Sequence, residues 1–431
     1  MITHIRRSLG GGAAAVTAAG LAILVTAAAT TTPAYGGMHA PAACVLSEGG
    51  PAGSDSPGTV TPINTATNTP GKAITAGKGV GFIAITPNGK TAYVSNFGGG
   101  RVAGDTVTPI STATNSPGKA ITVGKWPSVI AITPNGKTAY VVTASGVTPI
   151  STATNTPGKT ITAGKEPDYI AITPNGRTAY VSDFSSGTVI PISTATNTPG
   201  KTIKVGKNPD YIAITPNGRT AYVSDFSSGT VIPISTATNK PGKAIKVGKN
   251  PDYIAITPNG RTAYVSNEGS GTVTPISTTT NTPGKAITVT TSPMSSMPAE
   301  IAFTPNGNTA YVVVSAVVGA GSLGVVPIKT ATNKPGKAIY VGLFPGPIVI
   351  TPNGKTVYAA SQSGLTPIRT ATNKPGKAIK GVTGPIAITR DGRIIYATSG
   401  ARTVTPVSTA TNKPGKAIKV GLNPLAVVIT P

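Results

Sequence analysis

The side chains able to do chemistry in this chain recur along it instead of converging. Three Asp-Tyr pairs, Asp168-Tyr169, Asp210-Tyr211 and Asp252-Tyr253, stand 42 residues apart, each after Pro and before Ile-Ala-Ile. A carboxylate beside a phenol accepts and donates hydrogen bonds, so a ring of such pairs suits the polar mouth of a channel. Nine lysines, Lys72, Lys119, Lys159, Lys201, Lys243, Lys285, Lys337, Lys377 and Lys416, each end an Asn-x-Pro-Gly-Lys turn. A periodic set of ammonium groups offers a docking surface for an anionic polymer. Other catalytic sets are missing. His4 and His39 are the only histidines, so no histidine-based metal, haem or triad site lies beyond the N-terminus. Cys44 is the only cysteine, which excludes an intrachain disulfide and a Cys–His couple. The acids recur with the repeat and form no unique pair of the glycosidase kind. DFSSG and NEGSG carry too few acids for a calcium loop, and the TPNG glycines belong to turns, not to a phosphate loop. No cofactor, metal or catalytic residue is expected.

The elements that must position these residues are written in a repeated unit, PDYIAITPNGRTAYVSDFSSGTVIPISTATNTPGKTIKVGKN from Pro167. TPNG begins at Thr86, Thr133, Thr173, Thr215, Thr257, Thr304 and Thr351, and becomes TRDG at Thr389. A second marker has its Asn at 68, 115, 155, 197, 239, 281, 333, 373 and 412. Each unit holds four short runs rich in Ile, Val, Thr and Tyr, which favour strands. Pro-Asn-Gly suits a tight hairpin with Gly at positive φ. Asn-x-Pro-Gly-Lys places Pro and Gly as in a type II turn. Both strand faces are apolar, as in sheets packed between other sheets. Four-stranded antiparallel units at this spacing predict an all-β propeller.

AYVSN from Ala92, AYVVT from Ala139 and AYVSD from Ala179, followed by segments such as TVTPISTATN from Thr106, resemble the YVTN-type β-propeller repeat. The resemblance covers roughly residues 42–431. It implies the propeller fold and says little about activity. Lactonase-type propellers are a related enzyme class, yet no matching catalytic set is visible in the sequence.

The ends predict how the ring closes. Ala42 to Glu48 aligns with a second strand, and LAVVITP, Leu425 to Pro431, is a lone inner strand. Together they make one blade, giving nine with the eight internal ones; eight blades with a loosely attached N-terminus is the alternative. Cys44 then stands where other blades carry a core tyrosine. Arg6 and Arg7, the apolar stretch Ala13 to Ala29 and Ala34-Tyr35-Gly36 read as a signal peptide over 1–36. Residues 37–431 are expected to be a single propeller domain, monomeric, with no membrane span, secreted or bound to the cell wall. The general secretory route is favoured over the twin-arginine route.

The net charge of +24 becomes informative once the repeat assigns it a side. The inner and outer hairpin turns of a blade emerge on one face of the ring, and they carry nearly all the turn lysines and arginines. The other acids, among them Asp183, Asp225, Glu166 and Glu300, fall on the opposite, mixed face with the insertions at Phe97 to Asp105, Thr290 to Glu300 and Ala316 to Gly324. Trp126 is expected to pack there. The expected function is a non-catalytic binding or structural scaffold whose basic face docks an anionic cell-wall polymer or acidic glycan. Nucleic acid is a weaker candidate, because aromatic residues do not alternate with the lysines. The alternative is a small-ligand-binding or lactonase-like enzyme using the mixed face.

Overall fold

A computed structural model describes residues 42–50, 56–99, 102–290, 296–316, 324–400 and 402–431. The signal-peptide expectation therefore lies outside the described residues. The strands form nine antiparallel sheets, which is the nine-bladed alternative of the two expected from the repeat. The blade from Pro167 is representative. Its strands, from the channel outward, are Pro167–Ile172, Thr178–Asp183 and Thr188–Ser193, then an outer strand in two pieces, Thr198–Pro199 and Ile203–Lys204. Among the described residues one 3-10 turn, Glu268–Ser270, is the only helical element, and no helix is long and apolar enough to cross a membrane.

The ninth blade is made from both ends of the chain. Pro424–Ile429 is its inner strand and pairs with Ala42–Ser47, Cys44 opposite Val428; Pro57–Asn64 and the short Thr69–Pro70 and Ile74–Lys78 complete it. Thr430 N–H donates to the Ala42 carbonyl at 2.9 Å. The joint leaves no free sheet edge where the chain begins and ends.

The alternating Val, Ile and Ala side chains of neighbouring blades make the core. One cluster joins Tyr140 and Val142 of one blade to Ala179, Val181, Ile190 and Ile192 of the next, all buried. The recurring second-strand tyrosines are fully buried, and each phenol reaches the next blade. Tyr93, Tyr140, Tyr180, Tyr222, Tyr264, Tyr311, Tyr358 and Tyr396 donate to the Oδ1 of Asn155, Asn197, Asn239, Asn281, Asn333, Asn373, Asn412 and Asn68 at 2.5–2.7 Å. The last of these crosses the joint between the two chain ends. Burial pushes these phenols up to about 12. Cys44 shares the tyrosine register, opposite Pro62 as Tyr93 is opposite Pro109, and it is buried as expected. It supplies no hydroxyl for Asn115, so one joint of the ring lacks this bond.

The asparagines explain a turn that departs from expectation. The TPNG glycines do take positive φ, +70° at Gly176. In the Asn-x-Pro-Gly-Lys turn, however, Asn rather than Gly is left-handed: φ is 54° at Asn197 and 56° at Asn155. Asn tolerates this region through its short polar side chain, and Asn197 N–H closes the turn on the Ser193 carbonyl at 2.8 Å. Pro and Gly instead begin the returning strand. Gly158 is needed for close approach, because a Cβ there would stand 3.1 Å from Pro149 Cγ.

Candidate functional site

The nine turn lysines are all exposed. Inner and outer turns are bonded to each other in eight of the nine blades, for example Thr194 N–H to the Arg177 carbonyl at 3.0 Å. The basic residues do therefore share one face. A depression of about 150 Å³ beside these turns, lined by Thr178, Pro191, Ser193, Thr198, Pro199, Gly200 and Asn239, contains no charged group.

The mixed face is built differently. The inner strands carry a register shift between Pro167 and Ile170, Pro209 and Ile212, and Pro251 and Ile254. Such bulges re-aim side chains, and here they fall on the three Asp-Tyr pairs. The Tyr169, Tyr211 and Tyr253 N–H groups, lifted from the ladder, donate to the Oγ of Ser182, Ser224 and Ser266 at 3.0–3.2 Å. Ser182 and Ser224 in turn donate to the carbonyls of Asp210 and Asp252 in the next blade at 2.9 Å. Consecutive blades thus hold one another's bulges in place.

The result is an arc of tyrosines on the inner strands. Tyr169 and Tyr211 have ring centroids 4.6 Å apart, Tyr211 and Tyr253 4.8 Å. Their phenols are coupled electrostatically in series, Tyr169 with Tyr211 and Tyr211 with Tyr253. Burial first, then neighbouring phenols, and for Tyr211 and Tyr253 also nearby carboxylates, hold all three well above the usual phenol range. They stay protonated, and so remain donors, across the physiological range.

Glu300 ends this arc, and the sequence reading, which left it among the connecting acids, missed it. It lies on the inner strand Ser296–Phe303, at the position of the tyrosines when PAEIAF is set under PDYIAI. It is partly buried and accepts from the Ile348 N–H of the next blade at 3.3 Å. Burial pushes its carboxyl up to about 7, only partly opposed by that bond. Its charge also raises Tyr253. The same inner-strand position holds Phe82, Val129, Pro347, Pro385 and Ala426 in other blades, so the polar part of the ring is confined to four adjacent blades.

Asp168 and Asp252 are partly exposed and Asp210 is buried. Asp183 and Asp225, counted with the mixed face from the sequence, are wholly buried and tie the blade together. Asp183 accepts from the Lys165 and Glu166 N–H groups at 2.8 and 3.0 Å. Burial raises its pKa, but hydrogen bonds from Ser186, Lys165 and Glu166 outweigh this and leave it lowered. Trp126 is not packed away as expected; it is 41% exposed.

Comparison with known proteins adds a family match. Residues 235–368 match the family described as lactonase, 7-bladed beta-propeller. The matched stretch includes Asp252, Tyr253 and Glu300. It is about a third of the chain, and the ring here has nine blades. Among solved structures, dihydro-heme d1 dehydrogenase NirN in complex with DHE is similar at 13% identity and a TM-score of 0.60, over 92% of this chain and 77% of that one. A Bacteroides uniformis protein named as a 6-phosphogluconolactonase is similar at 17% identity and 0.50, over 91% and 100%. A eukaryotic initiation factor is similar at 12% and 0.61, over 91% and 99%. At these identities the structures carry the fold alone. A search of curated protein sequences gave no match. The lactonase-family match overturns the expectation of a non-catalytic scaffold that docks an anionic polymer through its basic face. It favours the alternative, a small-ligand or lactonase-like propeller working from the opposite face. Physically, lysine periodicity follows from turn chemistry repeated in every blade, whereas the polar arc is confined to four.

Proposed function

We propose that the protein binds a small cyclic ester at the channel and hydrolyses it there. The observation that carries this reading is Glu300, a channel-side carboxyl on the inner strand at the end of an arc of closely spaced tyrosines, whose pKa burial pushes up to about 7. A general base works best when its pKa lies near the operating pH. In this reading the Glu300 carboxylate takes a proton from water as the water oxygen adds to the ester carbonyl. A tyrosine O–H of the arc donates to the oxygen on which negative charge develops. The ring C–O bond then breaks, and the departing alkoxide takes the proton back from Glu300, releasing the open hydroxy acid. Burial supports both roles, since it keeps the phenols protonated and makes the carboxylate basic.

The similarity of residues 235–368 to lactonase propellers supports the same reaction class. The test is hydrolysis of a panel of sugar and aliphatic lactones by wild type and Glu300→Gln. Turnover of at least one lactone, lost with Glu300→Gln while the fold persists, is expected. Turnover unaffected by that substitution, or none across the panel, refutes the reading.

A further inference from the structure

A second site lies on the mixed face and owes nothing to Glu300. The blade between Ile130 and Pro157 departs from its neighbours at three positions that meet in space. Trp126 stands where the following blades carry Glu166, Asn208 and Asn250. Ser128 replaces the Asp of Asp168, and Ala144 replaces the Phe of Phe184 and Phe226. Where a phenyl group is absent lies a cleft of about 360 Å³, lined by these three residues, Phe97 of the preceding blade and Lys165, Glu166 and Asp168 of the connection to the following one. That volume falls within the range of small-ligand sites.

The indole is displayed deliberately. Trp126 has φ +53°, a left-handed turn shared with Asn250, Phe344 and Asn423 at the same position of other blades. The Trp126 backbone N–H donates to the Gly104 carbonyl at 2.8 Å, and the Ala144 N–H donates to the Lys125 carbonyl at 2.9 Å. At the same position the Asn208 side chain donates to the Phe184 carbonyl of the preceding blade at 3.2 Å. Trp126 keeps 41% of its surface exposed at the cleft.

We propose that this cleft binds a neutral saccharide. The negative face of an aromatic ring attracts the polarised C–H bonds on the flat side of a pyranose. Glu166 and Asp168 then accept from its hydroxyls, while Ser128 both donates and accepts. Two carboxylates against one ammonium disfavour a sugar phosphate.

Trp126 is the only tryptophan in the chain, so its fluorescence reports on this cleft directly. The full chain is titrated with cello-, malto-, xylo- and N-acetylchito-oligosaccharides, and with glucose 6-phosphate for comparison. A saturable emission shift with at least one neutral oligosaccharide is expected. Ala144→Phe, which restores the residue found in other blades, should weaken binding by at least about tenfold and leave thermal unfolding unchanged. Trp126→Ala, followed by calorimetry, should do the same. The proposal is overturned if no neutral oligosaccharide shifts the emission, if Ala144→Phe binds as wild type, or if glucose 6-phosphate binds more tightly. Lactone turnover is not needed for any of these readings.

Discussion

Removing one tyrosine hydroxyl should weaken a single joint of the ring by a predictable amount. Tyr180 is fully buried and donates to Asn239 Oδ1 at 2.5 Å. Tyr180→Phe keeps the ring packing and deletes this bond, whose net contribution is about 1 kcal/mol. The freed amide oxygen adds little further cost, because Asn239 is exposed and water replaces the phenol. Asn239→Gly deletes the same bond from the other side and still tolerates the left-handed turn at φ 55°. Equilibrium urea unfolding of both single variants and the double variant forms a cycle. Each single change should cost about 1 kcal/mol and the double change barely more, a coupling of about 1 kcal/mol. The ring contains its own control. Asn115 has the same left-handed turn, at φ 52°, but faces Cys44 in place of a tyrosine. Asn115→Gly should therefore stay within about 0.5 kcal/mol of wild type. Fully additive single variants, or a cost at Asn115 equal to that at Asn239, would refute the reasoning.

Further outcomes follow from the same geometry. Glu300 has a folded pKa of about 7 against an ordinary 4.5, so its contribution to stability is full below pH 4.5 and is lost as the pH rises toward 7. Denaturation midpoints measured from pH 4.5 to 7 should fall more for wild type than for Glu300→Gln; parallel curves would contradict this. Asp183→Ala removes a buried carboxylate that accepts two backbone N–H groups, and should cost about 2–3 kcal/mol in urea unfolding. A loss under about 0.5 kcal/mol would show that the connection holds itself. The signal-peptide expectation predicts a mature protein whose mass corresponds to a chain starting at Gly37, and retention of residues 1–36 would refute cleavage there.

Much of the architecture is legible in the repeat, because a period shared by strands and turns specifies each blade before any contact is known. The ninth blade is legible for the same reason: Cys44 and Val45 align with a second strand, and LAVVITP aligns with an inner one. Bonds between blades are not legible in this way. The tyrosine and asparagine positions both recur, but only the ring brings Tyr180 to Asn239, 59 residues away. The Pro-Gly pair misdirects the turn assignment, since Gly158 is there to let Pro149 approach and Asn155 takes the left-handed residue. Glu300 is hidden by reading Thr290 to Glu300 as a connection, although aligning PAEIAF with PDYIAI exposes it. The repeated turn lysines are legible in the sequence. Their visibility reflects turn composition, and the three departures at Trp126, Ser128 and Ala144 carry more information because they break the pattern.

The most direct test of the central claim is the pH dependence of kcat/KM for the best lactone, measured for wild type, Glu300→Gln and a variant with Lys201, Lys243 and Lys285 changed to Glu on the opposite face. Wild type and the lysine variant should share a rise through a pKa of about 7, and Glu300→Gln should lose that limb and most of its activity. A profile flat through neutrality, or one altered by the lysine changes and not by Glu300→Gln, would contradict the placement of the reaction at the channel.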